Sequence, residues 1–248
     1  MKTATVGQSL TLNYSGNEAL NTICSNLNFA GRNIKKIVIT SCNAGEGKSY
    51  MTMQIASNLA KRGKRVVIVD GDLRKSFIIK KYGLETEGEW IGLAHYLVEY
   101  NTMDEIIYRL TNLYDVCFIP IGRDVANPVQ LLDTNLFPQL LDKLAQDFDL
   151  VLVDAPPIGI VIDAAEIAQS CDGAVFVIEY NKTRRKDILD AKKQLTQANC
   201  PILGAVVNKV TFESLGAKKY YNRSYYSHYT NEYYRRSSKK SSSDDKKK

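Results

Sequence analysis

The hydrophobic positions of this chain fall into two alternating kinds of run. Short continuous apolar segments, such as 37–39 and 150–153, are typical of parallel strands covered on both faces. Between them, apolar residues recur at three- and four-residue spacing, which predicts helices with one buried face. Further strands are predicted near 65–69, 114–120, 174–178 and 202–207, and helices near 17–28, 49–61, 93–100, 103–110, 136–146, 163–169 and 183–197.

The two ends of the chain break this pattern. Residues 1–14 are polar and have no period, which predicts a flexible N-terminal arm. Ser15 and Glu18 have the spacing of a capping box, so the first helix is expected to begin just after Ser15. Beyond residue 217 aliphatic residues almost vanish, which predicts a disordered, tyrosine-rich basic tail over 218–248 and one globular domain over 15–217.

Residues 36–51, KIVITSCNAGEGKSYM, join a predicted strand to a predicted helix through a glycine-rich turn. In a phosphate-binding loop of this order, backbone N–H groups cradle phosphates, a lysine reaches the β- and γ-phosphates, and a serine hydroxyl binds Mg²⁺. Lys48 and Ser49 are the candidates for these two roles, although Cys42 stands where glycine is usual. The nucleotide-binding candidates in this loop are Asn43, Ala44, Gly45, Glu46, Gly47, Lys48, Ser49 and Tyr50.

Three acidic residues, Asp70, Asp72 and Asp154, follow the carboxyl ends of apolar strands. Ligands of open parallel sheets bind at these ends, so the carboxylates are expected to converge on the phosphate loop. Nucleotide-bound Mg²⁺ takes one or two carboxylates and a hydroxyl, for which Ser49, Asp72 and Asp154 are candidates. Asp70 is then left to face the attacking group. Each aspartate alone could be a turn residue, but all three beside GEGKS favour a site for ATP and Mg²⁺.

These patterns predict an α/β fold class: a mostly parallel sheet flanked by helices, in the P-loop NTPase architecture of the partitioning ATPases. The net charge of +6 lies in the tail, since 218–248 holds ten Lys/Arg and three Asp/Glu, so residues 1–217 offer no basic footprint and no nucleic-acid partner is expected. Five scattered cysteines without a CxxC pair indicate a reduced cytoplasmic protein. Neither a signal peptide nor a transmembrane segment is predicted, so a membrane role needs a partner.

The motifs GEGKS, VDGDLRK and LVLVDAPP resemble the Walker A, Walker A′ and Walker B motifs of the bacterial tyrosine kinases that control capsular and exopolysaccharide synthesis. The similarity covers about residues 15–234. It implies an ATP- and Mg²⁺-dependent protein-tyrosine kinase that phosphorylates its own tail. It also implies that Lys48 and Asp70 are catalytic, with Asp70 accepting the tyrosine proton, and that Asn208 meets the adenine.

The resemblance further implies partners and a place in the cell. These are a transmembrane adaptor of the polysaccharide co-polymerase type, self-association for phosphorylation in trans, and a cognate phosphotyrosine phosphatase. The protein is then cytoplasmic and recruited by the adaptor to the inner face of the membrane. Asn21 and Cys24 stand where the family has arginines that help to build a ring of subunits, so no stable ring is predicted.

The tail carries seven of the fifteen tyrosines within fifteen residues, without a helical stripe or strand alternation. As alternatives to phosphoacceptors, they could form an adhesive aromatic patch or a packed C-terminal element, or this basic, aromatic run could stack on single-stranded nucleic acid. Each phosphate adds about −1.5 to −2 charges, so full modification would reverse the sign of the tail. The candidate autophosphorylation sites are Tyr220, Tyr221, Tyr225, Tyr226, Tyr229, Tyr233 and Tyr234.

Two other functions share most of these motifs. One is a dimerising ATPase of the partitioning or division-site type, which carries a signature lysine five residues before the main one. That position is Asn43 here, which argues against it. The other is a regulatory adaptor without kinase activity, in which ATP acts only as a conformational ligand.

Overall fold

A computed structural model of the chain describes residues 1–31 and 33–210, of which Met1–Asn208 form one compact unit. The strands of the described residues are β1 (Lys2–Val6), β2 (Lys36–Ser41), β3 (Val66–Asp70), β4 (Leu84–Thr86), β5 (Tyr108–Leu110), β6 (Val116–Ile119), β7 (Leu150–Asp154), β8 (Gly173–Glu179) and β9 (Ile202–Asn208). The helices are α1 (Tyr14–Phe29), α2 (Lys48–Lys61), α3 (Ile78–Tyr82), α4 (Leu93–Leu97), α5 (Met103–Ile106), α6 (Pro128–Leu132), α7 (Leu136–Asp147), α8 (Asp163–Gln169) and α9 (Arg185–Gln197).

These strands form a single sheet in the order β4-β1-β5-β6-β3-β7-β2-β8-β9. Six neighbouring pairs are parallel, and the pairs β1–β4 and β5–β6 are antiparallel. The predicted α/β class with a mostly parallel sheet is therefore confirmed. Strand β2, which leads into the phosphate loop, lies between β7 and β8, so the loop opens at the carboxyl edge of the sheet's centre.

Both faces of the central strands are buried, as their continuous apolar runs predict. Successive side chains of a strand point to opposite faces. Val38 accordingly packs in one hydrophobic cluster, together with residues of α7, α8 and α9. Ile37 and Ile39 pack in the other, together with residues of α1 and α2. Helices on both faces hold the carboxyl ends of β2, β3 and β7 rigidly beside one another.

The predicted N-terminal arm is wrong for residues 2–6, because Lys2–Val6 form β1 inside the sheet. This strand pairs with β4 on one side and β5 on the other. Ala4 is buried, whereas Thr3 and Thr5 are exposed. The segment KTATV thus has the two-residue alternation of a half-buried strand, and threonine and valine favour strands. Its polar composition hid this alternation.

Two other local predictions also need correction. Helix α1 begins at Tyr14 and is capped by Asn13, whose side-chain oxygen accepts a hydrogen bond from the Gly16 N–H at 2.8 Å. The expected cap at Ser15 is therefore wrong, although Asn is an equally good cap residue. The predicted helix over 103–110 ends at Ile106, and Tyr108–Leu110 form β5, where sheet pairing overrides the weak helical pattern.

Candidate functional site

The phosphate loop connects β2 to α2 through two glycines with positive φ. Gly45 has φ = 80° and Gly47, the residue just before α2, has φ = 100°. A Cβ atom on Gly47 would lie 2.0 Å from the side-chain nitrogen of Asn208, so no other residue fits there without displacing Asn208. These glycines turn the chain so that the first N–H groups of a 14-residue helix open towards the cleft, which is the arrangement that binds phosphate.

Glu46 braces this loop from inside. Its side chain is buried, and it accepts hydrogen bonds from the backbone and side-chain N–H groups of Asn43 at 3.0 and 3.2 Å. The hydroxyl of Thr183, in the connection between β8 and α9, donates to the same carboxylate at 2.6 Å. Asn208 donates to the Glu46 carbonyl at 2.9 Å. The loop is thus tied to the ends of β8 and β9, and sequence reasoning missed Thr183.

Lys48 and Asp72 form an ion pair at 3.2 Å at the mouth of the loop. Burial lowers the pKa of the Lys48 ammonium, but the charges of Asp154 and Asp72 outweigh burial and raise that pKa overall. The other oxygen of Asp72 accepts the Lys75 N–H at 3.1 Å. Lys48 therefore remains a fixed positive charge at neutral pH, beside the helix N-terminus that favours phosphate.

Asp70 and Asp154 lie side by side, since they are register partners at the ends of the parallel strands β3 and β7. Both are fully buried. Burial raises the pKa of the Asp70 carboxyl well above its usual range, and the charge of Asp154 raises it further, while a hydrogen bond from the Ser76 hydroxyl opposes the shift. The second oxygen of Asp70 has no protein partner. A carboxyl with a raised pKa and a buried oxygen that has no protein partner thus lies close to Lys48 of the phosphate loop.

Asp154 contacts the first turns of α2 rather than the loop itself. It accepts a hydrogen bond from the Thr52 hydroxyl at 3.2 Å. Burial raises the pKa of the Asp154 carboxyl, against the charge of Lys48 and a hydrogen bond from Ser49. Ser49 and Asp154 are therefore neighbours, as the sequence predicts for two groups that share one ion.

The donor set fits a magnesium ion that is held mainly by the nucleotide. Within the described residues, no group of three or more His, Cys, Asp or Glu side chains is arranged to hold a metal by itself. Mg²⁺ in kinase and ATPase sites needs only one or two carboxylates, with phosphates and water completing its octahedron. The Ser49 hydroxyl hydrogen-bonded to Asp154, with Asp72 paired to Lys48, provides such a partial set.

A second ion pair joins the two acidic loops. Arg74 donates from two guanidinium nitrogens to the two oxygens of Asp163, at 2.6 and 2.9 Å. Asp163 is only 1% exposed and begins α8, whereas Arg74 follows Asp72 after β3. This bidentate pair therefore connects the loop that carries Asp72 to the segment that follows Asp154. The motif DLRK indicated a charge here but not its partner.

An open cleft of about 660 Å³ lies beside the phosphate loop. Ala44, Gly45, Gly47, Lys48, Ser49 and Asp72 line it, and basic and apolar residues complete its rim. Of the other candidates, Asn43 and Asn208 lie behind the loop through their contacts with Glu46. The Tyr50 side chain is partly buried and packs against the hydrophobic cluster below α2. The seven tail tyrosines lie outside the described residues.

On helix α1, Asn21 and Cys24 stand where the resemblance predicts arginines that build a ring of subunits. The Asn21 side-chain oxygen accepts hydrogen bonds from Asn58 of α2 at 3.1 Å and from Arg62, the residue that follows α2, at 2.7 Å. Cys24 is fully buried between α1 and the core, and burial raises the pKa of its thiol to about 11. The two positions therefore serve the packing of α1 on α2.

Among the described residues, no helix combines the length and the apolarity needed to cross a membrane.

The strand, glycine loop and helix, with acidic residues at the neighbouring strand ends, define a P-loop protein that binds nucleoside triphosphates. The AAA domain family matches residues 34–183. The tyrosine-protein kinase CpsD of Streptococcus agalactiae is 35% identical over 193 residues, which are 78% of this chain and 83% of CpsD. The chain therefore belongs to the bacterial tyrosine kinases, within the AAA domain family, and is a protein-tyrosine kinase.

Solved structures agree with this assignment. The kinase domain of the Escherichia coli tyrosine kinase ETK superposes with a TM-score of 0.71 at 26% identity, over 78% of this chain and 77% of that domain. The septum site-determining protein MinD of Pyrococcus horikoshii, solved with Mg-ADP, has a TM-score of 0.60 at 25% identity, over 70% of this chain and 69% of MinD. The likeness to a division ATPase confirms the predicted architecture.

Proposed function

We propose that this kinase transfers the γ-phosphoryl group of ATP to tyrosines of its own C-terminal cluster, acting between chains. The cluster comprises Tyr220, Tyr221, Tyr225, Tyr226, Tyr229, Tyr233 and Tyr234. Seven tyrosines in fifteen residues supply a dense set of acceptors for an enzyme of this class. Full modification would replace a basic tail by an acidic one, which would strongly change its affinity for any partner that binds it through charge.

In the proposed reaction, the tyrosine oxygen attacks the γ-phosphorus and forms a new P–O bond. The bond between this phosphorus and the β,γ-bridging oxygen breaks, and ADP leaves. The phenolic proton passes to Asp70. Lys48 neutralises charge on the β- and γ-phosphates, which is the main need of phosphoryl transfer, since positioning and electrostatics provide most of its catalysis.

The observation that carries this proposal is the state of Asp70. Its carboxyl is buried, its pKa is raised, and one of its oxygens has no protein partner. A phenol with a pKa of about 10 gains from a base whose own pKa is raised above that of an ordinary carboxyl. Most buried side-chain polar atoms have a hydrogen-bond partner, so the unpaired oxygen of Asp70 is exceptional.

Mg²⁺ would bind between the phosphates, the Ser49 hydroxyl and the carboxylates of Asp72 and Asp154. When bound, it supplies positive charge that offsets charge developing on the transferred group. Asn208 would meet the adenine, and the backbone of residues 43–50 would cradle the phosphates. Asn208 already lies against the loop through Glu46, so adenine and phosphate contacts would be mechanically coupled.

We further propose that the kinase controls the synthesis and export of capsular or exopolysaccharide. In this proposal a transmembrane adaptor of the polysaccharide co-polymerase type activates it and recruits it from the cytoplasm to the membrane. A phosphotyrosine phosphatase would reverse the modification. The family of the chain supports these partners, and no residue of the described part identifies them.

One experiment tests the central proposal. The full chain is incubated with ATP and Mg²⁺, alone and with the cytoplasmic segment of a candidate adaptor, and phosphate is mapped by mass spectrometry. Phosphate on the tail tyrosines that disappears in Lys48→Met supports the kinase. ATP hydrolysis with unmodified tyrosines, even with the adaptor, overturns autophosphorylation and favours a division-type ATPase, despite the replacement of its signature lysine by Asn43.

A further inference from the structure

The cleft beside the phosphate loop has two positive charges that are already compensated. Lys48 pairs with Asp72, and Arg74 pairs with Asp163. Among the described residues that line the cleft, Asp72 is the single acidic one. Any further cation on the rim therefore faces a cleft without a second carboxylate.

The rim carries such further cations next to an exposed aromatic ring. Lys75 and Lys80 line the cleft and are exposed, and Lys81 lies beside them. Phe77 is 54% exposed, and the Lys75 ammonium lies 5.5 Å from the centre of its ring. Pro157 and Ile160 form an apolar wall of the same cleft. A rim of this kind suits a ligand that has both an aromatic ring and a negative charge.

The tail offers that combination only after it has been modified. Six of its seven tyrosines occur as three adjacent doublets, at 220–221, 225–226 and 233–234. Before modification the tail is basic, with ten Lys/Arg against three Asp/Glu over 218–248, so its charge has the same sign as the rim. One phosphate in a doublet places about −1.5 to −2 charges next to the remaining tyrosine.

We propose that the basic rim formed by Lys75 and Lys80 binds a phosphotyrosine adjacent to the acceptor tyrosine, so that the first phosphate in a doublet accelerates addition of the second. This inference rests on the proposed function and names its preferred substrate. The phosphate has three oxygens that accept hydrogen bonds, and lysine ammonium groups bind it as point charges. The unmodified tail lacks this contact, so its first phosphorylation is the slow step.

The test uses peptides of residues 224–232, SYYSHYTNE, with phenylalanine at position 229. One peptide carries phosphotyrosine at position 225 and the other carries phenylalanine there, so Tyr226 is the acceptor in both. The enzyme is the full chain with its seven tail tyrosines changed to phenylalanine. We expect kcat/KM for Tyr226 to be about threefold to tenfold higher with the phosphorylated peptide, the size expected for one or two exposed charge pairs.

Variants assign the effect to the rim. The double variant Lys75→Gln/Lys80→Gln should lose the preference, and Lys192→Gln/Lys193→Gln, which removes two exposed lysines of α9, should retain it. Melting temperature and the KM for ATP show whether the variants stay folded and bind nucleotide. Equal rates for the two peptides, or a preference that survives in the rim variant, overturn the inference alone. No phosphate on either peptide or on the unaltered full chain overturns the proposed function as well.

Discussion

In its proposed role as the base, Asp70 would combine a functional benefit with a cost in stability. Its register partner on the neighbouring strand is another aspartate, and both carboxyls are buried. Burial raises the pKa of Asp70, and the neighbouring carboxylate of Asp154 raises it further, because two carboxylates so placed cannot both ionise easily. The same burial that makes Asp70 a stronger base therefore makes its ionised form unfavourable in the folded chain.

Replacing this residue should separate activity from stability. Asp70→Asn keeps the acceptor oxygen for Ser76 but cannot take a proton, so kcat should fall by about 10²–10⁴-fold. The pKa of Asp70 is higher in the folded chain than in the unfolded chain. The free energy of unfolding therefore falls as the pH rises through the folded pKa, because ionised Asp70 is unfavourable in the folded chain. The variant should therefore gain about 1–3 kcal/mol in free energy of unfolding at pH 7.5 and little at pH 4.

Denaturant unfolding at both pH values, with phosphate incorporation measured in parallel, checks this prediction. Asp115→Asn, at an exposed carboxylate, is the matched control and should change neither quantity. A variant that is both inactive and less stable at pH 7.5 would mean that Asp70 is a structural residue. In the parent chain, activity should decline with falling pH earlier than an ordinary aspartate would allow.

Connections between elements hold the site together. The bidentate contact of Arg74 with Asp163 joins the segment after β3 to the start of α8. One partner is fully buried and the other is 42% exposed, so the pair is worth more than a surface ion pair and less than a fully buried one.

Arg74→Met should leave the buried Asp163 carboxylate without its cation. We expect a loss of about 1–3 kcal/mol in free energy of unfolding, because an unpaired buried charge is costly. Arg109→Met removes an exposed pair with Asp115, at 3.8 Å, and should cost about 0.5 kcal/mol or less. Urea unfolding of both variants measures the two losses in free energy of unfolding. Equal losses would show that the Arg74–Asp163 pair stabilises the fold no more than an exposed ion pair does.

Strand β1 provides a second test between elements. Ala4 is buried between β4 and β5, whereas Thr5 is exposed on the other face. Ala4→Asp should therefore lower the free energy of unfolding by about 2–4 kcal/mol, since it buries a carboxylate without a partner. Thr5→Asp should change it little. Thermal unfolding of the two variants distinguishes a strand from a flexible arm, in which both changes would be equally mild.

At the scale of the whole molecule, the distribution of charge and the contacts of α1 bear on how two chains meet. Residues 1–217 are close to neutral and the basic charge lies in 218–248. Asn21 and Cys24, which stand where the resemblance predicts ring-forming arginines, are instead engaged in the packing of α1. Phosphorylation between chains would then depend on collision rather than on a preformed ring.

Mixing two chains, neither of which can phosphorylate its own tail, tests this expectation. One is Lys48→Met with its tail intact, and the other is active but has phenylalanine at the seven tail tyrosines. Phosphate should appear on the first chain, with an initial rate that rises with the concentration of the second, because each transfer requires an encounter. Mass spectrometry of the Lys48→Met chain measures this phosphate. If the Lys48→Met chain stays unmodified at all concentrations of the second chain, transfer in trans is contradicted.

Local patterns identified much of this protein. The apolar runs of β2, β3 and β7 indicated a parallel sheet, because continuous burial leaves no polar face. GEGKS indicated the phosphate loop, because only glycine adopts the positive φ of Gly45 and Gly47 without strain. Strand β1 was missed because its alternating residues are threonine and alanine, whose side chains are only weakly hydrophobic or polar.

Only the tertiary structure decided which groups meet. Strand order and register set Asp70 against Asp154, and with them the raised pKa. The contacts of Arg74 with Asp163 and of Thr183 with Glu46 span 89 and 137 residues, beyond the reach of any local pattern. Sequence periodicity reports which face of an element is buried, but a polar contact depends on where the other element lies, and the packing of the sheet alone determines that.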